Sequence, residues 1–310
     1  MLTLRIIERE LRGDTVLLTL AHPEGHPLPA YTAGAHIDLH LGDGLVRPYS
    51  LCGDPAERGC YRLGVLKEPA SRGGSRAAHA LREGDCVQVS EPRNLFALAP
   101  DAGDSLLIGG GIGITPMLAM AAELQAAGRS WSLHYCAHSR SDAAFLSRLA
   151  DEVWAGRVHL HFSDERRMVL AEVLSGLSPA THIYICGPQR LMDAVKEAGL
   201  AAGVPPEQLH QECFSADVSS GGRAFEVVAA ASGVTVQVAE DQTIVAALAQ
   251  AGIKVQVSCQ QGICGSCLTN VLEGEADHRD SFLTDEEKAD GDQMLLCCSR
   301  ARSARLILDL

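Results

Sequence analysis

Four thiols near the C-terminal end of the chain carry the sharpest chemical signal. Cys259-Gln-Gln-Gly-Ile-Cys264-Gly-Ser-Cys267 has C-x4-C-x2-C spacing, and a further cysteine follows about thirty residues later at Cys297 or Cys298. This is the thiolate spacing of a plant-type [2Fe–2S] cluster. The loop must fold around two irons so that sulfurs converge and backbone N–H groups point at them. Gly262 and Gly265 are expected to supply the permissive dihedrals. Zinc also takes four thiolates, but structural zinc sites favour two C-x2-C knuckles and this chain has one. Spacing alone leaves Cys297 and Cys298 open as the fourth ligand.

The remaining cysteines, Cys52, Cys60, Cys86, Cys136, Cys186 and Cys213, bring the total to eleven. A disulfide framework needs an oxidising compartment. The opening MLTLRIIERELRG has no apolar signal core, so a cytoplasmic chain with reduced thiols is expected. The six outside the cluster loop are then expected as small buried apolar residues. A net charge of −13 and a pI near 5.3 argue against nucleic acid as a partner. Residues 105–122 are free of charge and approach the length of a membrane span. Gly109, Gly110, Gly111, Gly113 and Pro116 cut that run into strand, turn and helix start, so no membrane partner is expected.

A second set of candidates lies upstream. Arg47-Pro48-Tyr49-Ser50 ends a strand-like run, and Arg72-Gly73-Gly74-Ser75 follows. The glycine turn 109–113 after an apolar strand offers backbone amides and a helix start to a pyrophosphate. Pro116 stands where the third glycine of G-x-G-x-x-G would be. At the end of the next strand the expected acidic residue is missing, and Ser139 and Arg140 come first. An arginine there could accept a 2′-phosphate, which leaves NADH and NADPH both open. Cys186-Gly187-Pro188 ends a further strand on the carboxyl edge, where ligands of open α/β sheets bind.

The elements that must hold these residues fall into three patterns. Up to about residue 99, short apolar runs broken by turns read as an antiparallel barrel or sandwich without a long helix. His36 and His40 lie in one such run, and i, i+4 residues of a strand are too far apart to share a metal. From about 104, strand and helix alternate: helix 115–127, strand 131–137, helix 143–154, strand 181–186, and a helix from Gln189. That alternation predicts a parallel sheet with helical crossovers. Residues 215–223 have the composition of a flexible linker. Beyond it come a hairpin, a helix closed by Gly252 and the cysteine loop, which fit a small ferredoxin-like domain. The expected domains are 1–100, 101–215, a linker 216–223, and 224–310.

Taken in order, the Arg47 string, the Gly73-Gly74 string, the glycine turn with Thr115-Pro116, and Cys186-Gly187-Pro188 reproduce the motif series of the ferredoxin-NADP reductase superfamily. With the cysteine loop at the C-terminus, essentially all 310 residues resemble the phthalate dioxygenase reductase family. The resemblance implies a multidomain chain: an antiparallel β-barrel flavin domain, an α/β parallel-sheet nucleotide domain and an α+β β-grasp ferredoxin domain. It implies FMN, with Arg47, Gly73, Gly74 and Ser75 on its phosphate, and Tyr49, Ser50 and the Val65-Leu66 backbone along the ring. It implies NADH on Gly111, Gly113, Ile114, Thr115, Ser139, Arg140, Cys186, Gly187 and Pro188, with Thr115 and Pro116 bringing their helix close to the flavin. Phe214 stands where relatives keep an aromatic near flavin and nicotinamide. In similar ferredoxin domains the fourth ligand precedes an apolar residue, a Ser and an Arg, which points to Cys297 before Cys298-Ser299-Arg300.

NADH gives a hydride whereas a [2Fe–2S] cluster takes single electrons, and a flavin between them bridges the mismatch. The expected function is therefore the reductase component of a Rieske-type oxygenase or demethylase, serving a separate oxygenase. A reductase for a cytochrome P450 or a dehydrogenase partner is the rival enzyme reading. A non-enzymatic redox sensor is the rival from another class, and the flavin and nicotinamide motifs count against it. Residues 224–310 hold thirteen acidic side chains against six basic ones. Asp285-Glu286-Glu287, Asp290 and Asp292 could steer this end to a basic patch on an acceptor.

Overall fold

In the computed structural model, the antiparallel pattern of the first hundred residues closes on itself. Its strands are β1 (Leu2–Arg12), β2 (Thr15–Ala21), β3 (Ala35–His40), β4 (Val46–Ser50), β5 (Tyr61–Leu66), β6 (Cys86–Val89) and β7 (Arg93–Asn94), with one helix, α1 (Gly74–Ala80). They run in the order β4-β3-β6-β1-β2-β5, with β7 against β3. The ends meet where Leu51 bridges Leu63 and the Cys52 N–H donates to the Arg62 carbonyl at 2.9 Å. Period-two alternation sends Leu4, Ile6, Leu18, Leu20, Ile37, Leu39 and Val89 into the barrel, where they are buried. Structure is described here for all residues except Asp43, Ala70 and 215–220.

The next segment alternates as its pattern requires: β8 (Asp104–Gly110), α2 (Ile114–Ala126), β9 (Ser130–Ala137), α3 (Leu146–Leu149), β10 (Val158–Phe162), α4 (Leu170–Leu174), β11 (Thr181–Cys186), α5 (Gln189–Ala201) and β12 (Leu209–Glu212). All five strands are parallel, in the order β10-β9-β8-β11-β12. The chain starts at the centre and reverses direction beside β8, which opens a crevice at the carboxyl ends of β8 and β11. The charge-free run of the sequence is the buried strand and helix of this centre, with Ile114, Met117, Leu118 and Met120 fully enclosed. Among the described residues no helix is long and apolar enough to cross a membrane.

Barrel and parallel sheet belong to one compact unit, Met1–Glu212. Glu123 on α2 accepts from the Ala33 N–H at 2.7 Å, and the Tyr184 hydroxyl accepts from the Ala99 N–H at 2.8 Å. Two expectations differ. The helix at 143–154 is cut to α3 and a 3-10 turn, because Asp151 is extended and its side chain caps the Val153 N–H at 3.0 Å. Cys86 opens β6 exposed rather than buried, and Cys136 and Cys213 are half-buried.

The second unit is Cys213–Leu310. It contains β13 (Phe225–Ala229), β14 (Val234–Val238), α6 (Ile244–Gln250), β15 (Leu268–Glu273), β16 (Ala276–Asp277), α7 (Asp285–Asp290), β17 (Gln293–Leu295), β18 (Arg300–Ala301) and β19 (Arg305–Leu308). The main sheet runs β14-β13-β19-β15-β17, mixed because β13 and β19 are parallel. Thr243 caps α6 by accepting from Ala246 N–H, and Gly252 follows its end with φ +83°. Of the expected linker, 215–220 lie outside the described residues. Its last residues are tied to this unit: the Gly221 carbonyl accepts from Arg279 at 2.7 Å and the Arg223 carbonyl from the buried Arg300 at 3.0 Å.

Candidate functional site

The cysteine loop bridges α6 and β15. Cys259, Cys264, Cys267, Cys297 and Cys298 are all buried. Antiparallel pairing of Leu268 with Leu295 brings the end of the loop to the end of β17, where the Leu296 N–H donates to the Cys267 carbonyl at 3.3 Å. Gly262 and Gly265 have φ of +72° and +70°, as the wrapping loop demands. A Cβ on Gly265 would stand 2.5 Å from the Phe282 ring, and one on Gly262 would stand 2.6 Å from Cys298 Sγ and 2.9 Å from the Asp280 Cα. Backbone amides do turn to sulfur: Gln261 N–H reaches Cys259 Sγ at 3.3 Å and Cys259 N–H reaches Cys264 Sγ at 3.5 Å.

The two candidates for the fourth corner face different neighbours. The Cys297 thiol interacts with the thiols of both Cys259 and Cys298. The Cys298 thiol is directed to the Leu295 carbonyl at 3.7 Å and lies against Gly262. A tetrahedral zinc would hold its sulfurs about 3.8 Å apart, given Zn–S bonds of about 2.3 Å. No three of these thiols come within 4.8 Å of one another; among the described residues the one such group of ligands is His22, Glu24 and His26. Two irons sharing four thiolates need the sulfurs to meet only in pairs, and the C-x4-C-x2-C spacing with a downstream cysteine is that of a plant-type [2Fe–2S] site. Hydrogen bonding to Cys259 and burial push the Cys264 thiol up, so loading the site releases protons.

Behind the loop sits a residue that the motif does not contain. Asp280 is buried, and its carboxylate accepts from the Phe282 and Leu283 N–H groups at 3.2 and 2.9 Å and from the Ser299 hydroxyl at 3.4 Å. It fixes the segment that backs Gly262 and Gly265.

In the first unit, four of the phosphate candidates converge. Arg47 on β4 crosses the start of α1 so closely that a Cβ on Gly74 would lie 2.6 Å from Arg47 Cγ. Gly73 caps the helix with φ +101°, and Ser75 Oγ accepts from the Glu68 N–H at 3.1 Å. A guanidinium over glycine amides is a donor set that fits a phosphate dianion. Val65 and Leu66 end β5, the last strand of the barrel order, and the Val65 carbonyl accepts from His79 Nε2 at 2.9 Å. Tyr49 packs on the barrel core, and burial pushes its phenol up to about 12.

The barrel approaches the nucleotide sheet at Gly64 on β5. A Cβ there would stand 2.5 Å from the Phe145 ring and 3.2 Å from Thr115 Cγ2. An isolated glycine inside a strand pattern is the sequence signal for such an approach. Thr115 itself donates to the Ile112 carbonyl at 2.9 Å. Across the crevice the two glycine turns interlock: a Cβ on Gly113 would lie 2.3 Å from the Cys186 carbonyl oxygen, and one on Gly187 would lie 2.9 Å from the Gly110 Cα. Gly111, with φ +55°, and Ile114 complete the turn into α2. Pro188 precedes α5, and Ser139 and Arg140 follow the end of β9.

The sharpest addition to the sequence reading is Glu212, the last residue of β12. Parallel register sets it opposite Cys186, and the Ser50 hydroxyl donates to its Oε2 at 3.4 Å. Burial raises its carboxyl to about 8, against a weaker lowering by Ser50. Ser50, Cys186 and Glu212 are thus brought together from barrel and sheet. Phe214, two residues on, is half-buried and belongs to the second unit.

Two family descriptions match the chain, an oxidoreductase NAD-binding domain over residues 107–197 and a 2Fe-2S iron-sulfur cluster binding domain over 227–302. A vanillate O-demethylase oxidoreductase from Pseudomonas sp. is 48% identical over 97% of this chain and 97% of its own. The solved phthalate dioxygenase reductase, described as a modular structure for electron transfer from pyridine nucleotides to [2Fe–2S], matches at 39% identity and a TM-score of 0.80. It covers 100% of this chain and 98% of that one. This chain belongs to the phthalate dioxygenase reductase family. The multidomain fold expected of that family, with antiparallel barrel, parallel nucleotide sheet and 2Fe-2S domain, is the fold observed. As a member of the phthalate dioxygenase reductase family the chain is an oxidoreductase. An intact type IV self-sufficient cytochrome P450 monooxygenase is also similar, at 43% identity and a TM-score of 0.85 over 99% of this chain, which spans 41% of that protein.

Proposed function

We propose that the chain is the reductase component of a two-component Rieske-type oxygenase or demethylase, cytoplasmic, drawing on NADH and serving a separate oxygenase. The observation that carries this is the joining, in one chain, of a barrel and nucleotide sheet that meet at Ser50, Cys186 and Glu212 to a buried four-thiol loop. When bound, FMN and the [2Fe–2S] cluster supply the conversion from a two-electron donor to single-electron delivery.

The chain's own residues bind, orient and exclude water. Arg47, Gly73, Gly74 and Ser75 hold the FMN phosphate, while Tyr49, Ser50 and the backbone of Val65 and Leu66 border the ring. Gly111, Gly113, Ile114 and Thr115 present amides to the NADH pyrophosphate, Ser139 and Arg140 meet its adenosine end, and Cys186, Gly187 and Pro188 line the nicotinamide pocket. Cys259, Cys264, Cys267 and Cys297 hold the cluster. Catalysis here is positioning, with Glu212 a carboxyl that burial raises to about 8 beside Ser50. The three functional modules are 1–100, 101–215 and 224–310, with 216–223 as the linker. The acceptor docks on the acidic last module, where α7 exposes Asp285 and Glu286.

The test is reduction of cytochrome c by the purified, cofactor-loaded chain. NADH supports it, and the chain alone leaves aromatic acids untouched. Turnover of such an acid without a partner contradicts the reading, and so does failure to consume NADH. Similarity to the P450 monooxygenase supports a second reading in which the acceptor is a P450, and the two separate on which acceptor restores substrate oxidation.

A further inference from the structure

The parallel pairing of β9 with β10 runs at a constant offset, from Leu133 opposite Val158 to Ala137 opposite Phe162. It continues past both strand ends: the Ser163 N–H donates to the Ala137 carbonyl at 3.0 Å and the Asp164 N–H to the His138 carbonyl at 3.1 Å. The same offset of 25 residues then sets Arg140 beside Glu165. Arg140 Nε donates to Glu165 Oε1 at 2.8 Å and Nη2 donates to Oε2 at 3.3 Å. The guanidinium also lies 4.6 Å over the Phe162 ring. Backbone register, with a stacked aromatic beneath, therefore holds this fork in place. Arg166, after β10, is engaged by Glu172 through one nitrogen, Nη2, which donates to both carboxylate oxygens at 3.2 Å.

In nucleotide-binding sheets of this kind, the residue after the second strand discriminates between coenzymes. A carboxylate there accepts from the ribose hydroxyls, whereas an arginine there accommodates a 2′-phosphate. Arg140 by itself would favour the phosphate. We propose that Glu165 sets the nucleotide preference toward NADH, by occupying the Arg140 fork that a 2′-phosphate would need and by offering the adenosine ribose the missing carboxylate. This rests on the reading of that edge as a nicotinamide-nucleotide site.

The electrostatics run the same way. A phosphate monoester carries close to two negative charges at neutral pH. To use the Nε–Nη2 edge it must displace a carboxylate that already accepts from both nitrogens, and it is repelled from the remaining N–H groups while that carboxylate stays near. A ribose hydroxyl is neutral and donates to the lone pairs that Glu165 keeps after pairing. Both side chains are exposed, with 62% and 52% of their surface accessible, so the pair adds little to stability and its effect falls on selectivity.

The experiment measures kcat/KM for NADH and for NADPH with ferricyanide as acceptor, using the full cofactor-loaded chain. Wild type prefers NADH. Glu165→Gln shifts the ratio toward NADPH by about tenfold, since one charge-assisted contact changes hands at an exposed site. The double variant Arg140→Ala/Glu165→Gln loses that gain, because the effect passes through Arg140. A thermal melt of each variant matches wild type. A Glu165→Gln ratio within twofold of wild type overturns the proposal, as does an equal NADPH gain in the double variant. A wild type that oxidises neither nucleotide overturns instead the reading of the edge on which the proposal stands.

Discussion

Ser50, at the end of a barrel strand, donates its hydroxyl to Glu212, at the end of the last parallel strand, across 3.4 Å. Burial raises the Glu212 carboxyl from 4.5 to about 8, so it is neutral at pH 7. Between those values the folded chain holds a proton that the unfolded chain has released. The stability associated with this group is full below about 4.5 and is lost as pH rises through about 8. Glu212→Gln keeps the shape and removes the titration. The variant is expected to be more stable than wild type at pH 8 by roughly 4 kcal/mol, and within about 1 kcal/mol of it at pH 5. Melts of the first unit, followed by flavin fluorescence, check this, and the NADH–ferricyanide rate of the variant loses its break near pH 8.

At Gly113 a small change is predicted to have a large effect. Its φ of −64° suits any residue, so conformation is no obstacle. Space is, because an added Cβ meets the Cys186 carbonyl oxygen at 2.3 Å and the Gly187 nitrogen at 2.7 Å. Gly113→Ala forces two backbone turns apart, at a cost of about 3 kcal/mol. NADH–ferricyanide turnover should fall by more than tenfold while the cluster absorption of the second unit is retained. An unimpaired variant is incompatible with the interlocked turns.

Cys297 and Cys298 separate by iron content. Cys297→Ser is expected to lose most of the iron and the visible absorption of the cluster, since its thiol meets that of Cys259. Cys298→Ala should keep both, at a stability cost of about 1 kcal/mol for the vacated packing against Gly262. The reverse pattern reassigns the fourth corner.

Docking to the acceptor is expected to depend on Asp285 and Glu286 rather than on Glu287. Glu287 accepts from the Thr284 N–H at 2.8 Å while its own N–H donates to Thr284 Oγ1 at 3.2 Å, a capping box that starts α7. Replacing Asp285 and Glu286 by lysine should slow cytochrome c reduction about tenfold at low salt, with the gap closing as salt rises. Ferricyanide reduction is the control and stays level.

How far the sequence could reach depended on where the information lay. The strand 181–186 was legible to the residue, because apolar runs bounded by Cys-Gly-Pro admit few alternatives. Gly262 and Gly265 were legible because the cysteine spacing requires a tight wrap. Glu165 and Glu212 were not, since the strands that position them look unlike strands. Val158–Phe162 places histidines at alternate positions and buries only Phe162, and Leu209–Glu212 is four residues at a sheet edge. Their partners Arg140 and Ser50 lie 25 and 162 residues away, and only sheet register and barrel packing bring them together. The predicted helix 143–154 failed locally, where Asp151 preferred to cap a turn.

The most direct test of the account is anaerobic addition of one equivalent of NADH to the FMN- and cluster-loaded chain, with the cluster followed by visible absorption and electron paramagnetic resonance. NADH is predicted to be consumed and the cluster reduced within the turnover time. The Cys297→Ser variant is predicted to consume NADH, pass electrons to ferricyanide and fail with cytochrome c. A cluster that stays oxidised while NADH disappears, or a Cys297→Ser chain that reduces cytochrome c at the wild-type rate, would contradict the account.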